Sequence, residues 1–242
     1  MLRQKLTATA VLTLARWTPY LESEMLGLSA LVGPGSVCID VGSAAGLYTL
    51  VLSKLAGATG EVHSVEPLSF AHTRWVRILA SRSGKNVRHH SLALGAEPGS
   101  ADMSVPIGRF GPVTGRSFLA WKSSGLGSNT EFAGQMAVTV KVDTLDALVG
   151  RADLKRLDLV KIDVEGAELH VLQGGEKTIE KFKPAILLEI EDRHIERFKY
   201  AATDITSWLK SRGYKMYVWQ DAWKPTDVIR GDMRNYLFRA IN

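Results

Sequence analysis

Val37-Cys38-Ile39-Asp40-Val41-Gly42-Ser43-Ala44-Ala45-Gly46 is an apolar run closed by an acid and then by a turn bracketed with glycines. A run of this kind suits a strand buried on both faces of a parallel sheet, and residues 47–55 continue from it with helical character. Glycine at 42 and 46 lets the backbone turn sharply and approach a ligand closely, at the carboxyl end of a strand where open α/β sheets bind small molecules. The turn contains neither the Gly-Lys-Ser/Thr of a P-loop nor the G-x-G-x-x-G of a dinucleotide site. A nucleoside triphosphate or nicotinamide cofactor is therefore disfavoured.

Upstream, Gly33-Pro34-Gly35 is a turn, and apolar residues at helical spacing over 6–31, broken by Pro19, predict a helix, a turn and a second helix starting near Leu21. These would cap the domain as an extension over 1–35. Downstream, 57–60 turns and 61–67 reads as a second strand ended by Pro67. The alternation goes on with a helix over 70–83, a strand over 86–94, an exposed strand over 138–142, an apolar strand over 157–163, a helix over 167–182, a strand over 185–190, a helix over 204–212 and strands over 214–219 and 236–241. Strands alternating with helices imply an α/β fold with a mostly parallel sheet covered on both faces. Residues 95–129 are rich in Gly, Ser and Pro and read as an irregular stretch with parts of a hairpin.

No linker divides the 242 residues, so one domain over 1–242 is expected. Apolar residues at 45% and charged residues at 23% allow a sizeable core and argue against disorder. The single cysteine, Cys38, cannot form an intrachain disulfide, which fits a reducing, cytoplasmic setting. The N-terminal run faintly resembles a signal peptide, but Thr7, Thr9 and Thr13 interrupt it; no stretch is apolar enough to span a membrane. The net charge of +5 comes from basic residues scattered among acidic ones and does not by itself point to nucleic acid.

Glu66 ends the second strand 26 residues after Asp40, where a carboxylate can accept hydrogen bonds from both hydroxyls of a ribose. Following a turn with no pyrophosphate signature, that acid favours an adenosyl ligand. Lys161-Ile162-Asp163-Val164-Glu165-Gly166-Ala167-Glu168 then sets three carboxylates where a core strand meets its helix. Glu168 has a sufficient explanation in the positive end of that helix, whereas Asp163, at the strand's carboxyl end, is the stronger functional candidate. Glu189 ends the next strand and should share its cleft.

Residues 37–50, Val65-Glu66-Pro67, Leu92-Ala93-Leu94-Gly95, Thr144-Leu145-Asp146, 161–168 with Leu172-Gln173-Gly174, 184–189 and Asn235-Tyr236-Leu237-Phe238 resemble, in order, the FkbM family of S-adenosylmethionine-dependent methyltransferases. Ile-Asp-Val-Glu-Gly-Ala-Glu at 162–168 is the most specific mark. The resemblance implies a seven-stranded Rossmann-like class I core and O-methylation of a hydroxyl on a sugar, glycolipid or secondary metabolite. It also implies S-adenosylmethionine binding by Asp40, Gly42, Ser43, Gly46, Tyr48, Thr49, Glu66, Pro67, Ala93 and Asp163. One departure is Ala44, where the family often has asparagine.

In-line methyl transfer needs the acceptor oxygen held behind the methyl carbon and a base for its proton. Asp163, Glu165, Glu189 and His194 are the candidates. A divalent cation between Asp163 and Glu189 is the less favoured alternative. The stretch over 96–136, with Arg109, Arg116, Trp121 and Lys122, is expected to bind the acceptor, a small molecule or glycan, with contact to a lipid-linked substrate left open. The competing readings are a nucleic-acid methyltransferase, supported by aromatic residues among cations near 109–122, and a non-catalytic adenosyl-binding scaffold.

Overall fold

The computed structural model describes residues 13, 15, 22–68, 84–109, 111–113, 116–120 and 134–241. Its strands are β1 (Val37–Val41), β2 (Glu61–Val65), β3 (Val87–His90), β4 (Ala93–Leu94), β5 (Gly99–Gly108), β6 (Gly111–Pro112), β7 (Phe118–Leu119), β8 (Gly134–Asp143), β9 (Leu159–Ile162), β10 (Ala185–Glu189), β11 (Tyr214–Trp219), β12 (Trp223–Pro225) and β13 (Asn235–Ala240). The α-helices are α1 (Leu47–Ala56), α2 (Leu145–Arg151), α3 (Glu168–Gln173), α4 (Glu176–Phe182), α5 (Asp192–Ile195) and α6 (Ala202–Lys210). A 3-10 helix, Ser23–Ala30, precedes β1.

The main sheet runs β12-β11-β13-β10-β9-β1-β2-β3. The five strands from β10 to β3 are parallel. β13 is antiparallel to β10, and β11 and β12 continue antiparallel beyond it. The expected seven-stranded, mostly parallel sheet is thus corrected to eight strands in a mixed sheet. The extra strand is β12, three residues that fold back on β11 after the turn at Gln220–Ala222; such a short hairpin arm carries no periodicity to read. Side chains alternate along the central strands, so Ile39, Val41, Val160 and Ile162 enter one apolar cluster while Cys38, Leu159 and Leu187 enter the other.

The expected strand over 86–94 divides at Ser91. β3 stays in the main sheet, but β4 pairs with β8, Ala93 opposite Val142 and Leu94 opposite Asp143. With β5, β6 and β7 they form a second sheet of five strands. The irregular reading of 95–129 is corrected over its first part by β5, which pairs with β8 through nine residue pairs from Gly99–Val142 to Ile107–Gly134. Glycine at both ends and Pro106 within it masked the strand in sequence. The helix expected over 167–182 breaks at Gly174-Gly175, where a Cβ on Gly174 would lie 2.0 Å from the Gly95 carbonyl oxygen. Among the described residues the N-terminal stretch shows the 3-10 turn and helical conformation at Thr13 and Ala15, and no clear helical cap. Most of its first helix, the helix over 70–83, and Trp121 and Lys122 lie outside the described residues. No helix among the described residues is long and apolar enough to cross a membrane.

Candidate active site

The carboxyl ends of β1, β2 and β9 open on a pocket, the place where open α/β sheets bind small ligands. Gly42, Glu66, Pro67, Ala93, Asp163 and Glu165 are in its wall. Leu92, Leu94, Met103 and Leu119 add an apolar side that composition did not single out, with the polar Ser117 beside it. Met103, Ser117 and Leu119 come from the segment between β5 and β7, brought there by the pairing of those two strands.

Gly42 has φ +75°, and a Cβ there would stand 1.8 Å from the Asp163 carbonyl oxygen. Its necessity comes from the approach of the β9 loop as much as from any ligand. Replacing it with alanine should cost about 3 kcal/mol of stability or more, since both the left-handed backbone and the contact oppose a side chain. Urea unfolding checks this: an unchanged midpoint would mean the two loops do not pack this way.

The Glu66 carboxylate accepts from the backbone N–H of Ala44 at 3.0 Å and of Leu68 at 2.9 Å. The asparagine side chain that the family often has at 44 is absent, but the backbone contact persists, with Ala44 itself at φ +41°. Burial pushes the Glu66 carboxyl up, and the two N–H donors oppose this. The other loop candidates sit behind the wall. Asp40 is fully buried and accepts from the Thr49 hydroxyl at 2.5 Å. Ser43 accepts from Ser64 at 2.8 Å, and the buried Tyr48 donates to Glu22 at 2.5 Å. Gly46 is the left-handed N-cap of α1. None of these five is part of the pocket wall.

At the β9 end, Glu165 adopts φ +55°, a left-handed conformation costing a non-glycine residue about 1 kcal/mol. Neighbouring contacts enforce it. Glu168, the first residue of α3 and 2% exposed, turns back to accept from the N–H groups of Val164 and Gly166, each at 3.1 Å. The Tyr200 hydroxyl donates to the Gly166 carbonyl at 2.5 Å. Gly166 has φ +110°, and a Cβ on it would meet the His194 carbonyl oxygen at 2.3 Å. The outcome is to bring Glu165 against α5, with His194 Nε2 3.0 Å from Glu165 Oε2 and His194 Nδ1 3.8 Å from Glu189 Oε2.

Glu189 lies beside Asp163, and the two acids interact. Burial, then the charges of Asp163 and Glu165, push the Glu189 carboxyl up to about 10. Burial pushes Asp163 up too, but the charge and hydrogen bond of Lys161, together with Glu189 and His194, outweigh it and hold that carboxyl below its ordinary range. The two acids are thus driven in opposite directions, Glu189 toward its protonated form and Asp163 toward its anion. The four predicted catalytic residues are brought into one connected group, of which Asp163 and Glu165 reach the pocket wall. Ligand atoms of Glu165, Glu189 and His194 also lie within 4.8 Å of one another, a donor set that could hold a divalent cation. Lys161 was missed as a functional candidate; its signal was a cation inside an otherwise apolar strand.

A family model for the methyltransferase FkbM domain matches residues 40–216. The chain is similar to "Methyltransferase 1" of Beauveria bassiana, 27% identical over 203 residues, which covers 80% of this chain and 78% of that protein. Among solved structures it resembles methyltransferase FkbM from Methylobacillus flagellatus, with TM-score 0.52 and 14% identity, over 85% of this chain and 43% of that one. This chain thus spans less than half of that protein's length. An rRNA methylase from Streptococcus thermophilus aligns with TM-score 0.50 and 11% identity, over 93% and 99%. At such identities the two structures speak for the fold.

Proposed function

The chain belongs to the FkbM methyltransferase family, and from that premise we propose that it uses S-adenosylmethionine to methylate a hydroxyl of a small-molecule or glycan acceptor. The observation that carries this reading is one continuous pocket with Glu66 at its β2 end and Asp163 and Glu165 at its β9 end. Each Glu66 oxygen accepts one N–H and keeps a lone pair for a ribose hydroxyl. The side made of Leu92, Leu94, Met103 and Leu119 suits a purine. In this reading the insertion serves the cofactor as well as the acceptor.

When bound, the cofactor supplies an electrophilic methyl carbon on a sulfonium. The protein's task is to orient the acceptor, exclude water and take the hydroxyl proton as the new bond forms. Glu165, at the pocket wall with the His194 imidazole 3.0 Å behind it, is the proposed proton acceptor, and His194 can share the proton that Glu165 takes. A pocket end built of carboxylates and an imidazole suits a hydroxyl, which is a poor nucleophile until that proton leaves.

Calorimetric titration with S-adenosylhomocysteine tests the cofactor reading. Wild type should bind, and Glu66→Ala should bind more weakly by about 1.5–3 kcal/mol, the range for hydrogen bonds to a charged group. A folded wild type that does not bind would remove the reading. The acceptor class is tested by following labelled methyl groups into organic-extractable glycans and lipids or into RNA; incorporation into RNA alone would replace the hydroxyl acceptor proposed here.

A further inference from the structure

β9 is Leu159-Val160-Lys161-Ile162, buried at every position, and its third residue is a lysine. Lys161 is 3% exposed and lies in register with Asp40 on β1. An ammonium in such a place is costly unless it is hydrogen-bonded and paired. Its Nζ donates to Asp163 Oδ2 at 2.7 Å and stands 4.5 Å from the centre of the Tyr48 ring. Asp40 and Glu22 add attraction from β1 and from the N-terminal segment. Tyr48 fastens Glu22 over this group through its hydroxyl. On Asp40, Oδ2 is taken by Thr49, while Oδ1 has no hydrogen-bond partner among the described residues.

Lys161 is not part of the pocket wall, but Asp163 is. Its charge therefore reaches the site through that carboxylate. Asp163 also lies beside Glu189 and shares the pocket wall with Glu165, so the ammonium 2.7 Å away is the cation that holds this carboxylate in place within a cluster of acids.

We propose that Lys161 is a positioning residue that fixes Asp163 as an oriented carboxylate anion, the seat for the ammonium of the cofactor's amino-acid arm. This rests on the cofactor reading of the pocket. Lys161 acts on one portion of the ligand: the amino-acid arm depends on it, and the adenosine portion, held at the Glu66 end, does not.

Two probes separate the portions. S-adenosylhomocysteine carries the amino-acid arm, and 5′-methylthioadenosine has the thioether and nucleoside without it. Calorimetry on wild type should show tighter binding of the first. Lys161→Met should weaken S-adenosylhomocysteine by about ten- to a hundredfold, as expected for loss of a charge-assisted contact, and leave methylthioadenosine within about twofold. Lys161→Arg should restore most of the difference. Lys161→Gln, which keeps a hydrogen bond to Asp163 without the charge, should show the same selective loss and serves if the methionine variant does not fold.

Equal loss of both probes in a folded variant would make the lysine structural and overturn the proposal, as would no loss of either. Equal affinity of wild type for the two probes would overturn it as well, because no ammonium seat would exist. A wild type that binds neither probe removes the cofactor reading itself.

Discussion

Glu165→Gln is expected to lower the turnover number by about 10²- to 10⁴-fold, the usual contribution of a positioned general base, while leaving the affinity for S-adenosylhomocysteine within about twofold. Glutamine has the shape of glutamate and the same tolerance for the strained backbone at φ +55°, so the loop should keep its course between Gly166 and α5. The substitution removes the capacity to accept a proton and leaves His194 without a carboxylate at 3.0 Å. Steady-state release of S-adenosylhomocysteine, measured with any acceptor that wild type turns over, provides the test. Turnover equal to wild type would sink the assignment of Glu165 as base. A parallel loss of cofactor affinity would move Glu165 to the cofactor's side of the pocket.

The second large effect is a pH-dependent difference in stability. Burial, opposed by the N–H donors of Gly166 and Val164, raises the Glu168 carboxyl from 4.5 to about 7. A carboxyl raised on folding binds its proton more tightly in the native state. Its contribution is thus fully present below about pH 4.5 and is lost as the pH climbs through 7. The loss amounts to about 3 kcal/mol at pH 8. Glu168→Gln keeps an acceptor for both backbone N–H groups and has nothing to titrate. The unfolding free energy of the variant relative to wild type should therefore grow by about 3 kcal/mol between pH 4.5 and pH 8, read by urea unfolding at each pH. A difference that is constant with pH would mean that Glu168 is solvated in the folded protein.

Glu168 also illustrates how the sequence speaks. The acid at a helix start was readable as a structural device, and the structure makes it one, although its partners are the N–H groups of Val164 and Gly166 in the preceding loop. The strand at 37–41 with its glycine turn, Glu66 at the end of β2, and the carboxylates closing β9 and β10 were likewise readable. Each is a local event: an apolar run, a residue able to take positive φ, an acid where a strand stops. Helix and strand breaks set by remote contacts were not readable. Gly174 ends α3 because Gly95 presses against it, and no pattern within 167–182 records that neighbour.

By itself the sequence determined the alternation of strands and helices, the place of the glycine turn after β1 and the family, because each depends on short-range spacing and residue type. The tertiary structure alone decided that β4 leaves the main sheet to pair with β8, that Met103, Ser117 and Leu119 come to the pocket wall, and that Asp40, Tyr48 and Thr49 stand behind it. It also decided that Lys161, an anomaly in an apolar strand, is held by acids from three separate parts of the chain. Pairing, burial and charge compensation are properties of neighbours in space, and residues as distant as Glu22, Asp40 and Asp163 become neighbours only when the sheet closes around β9.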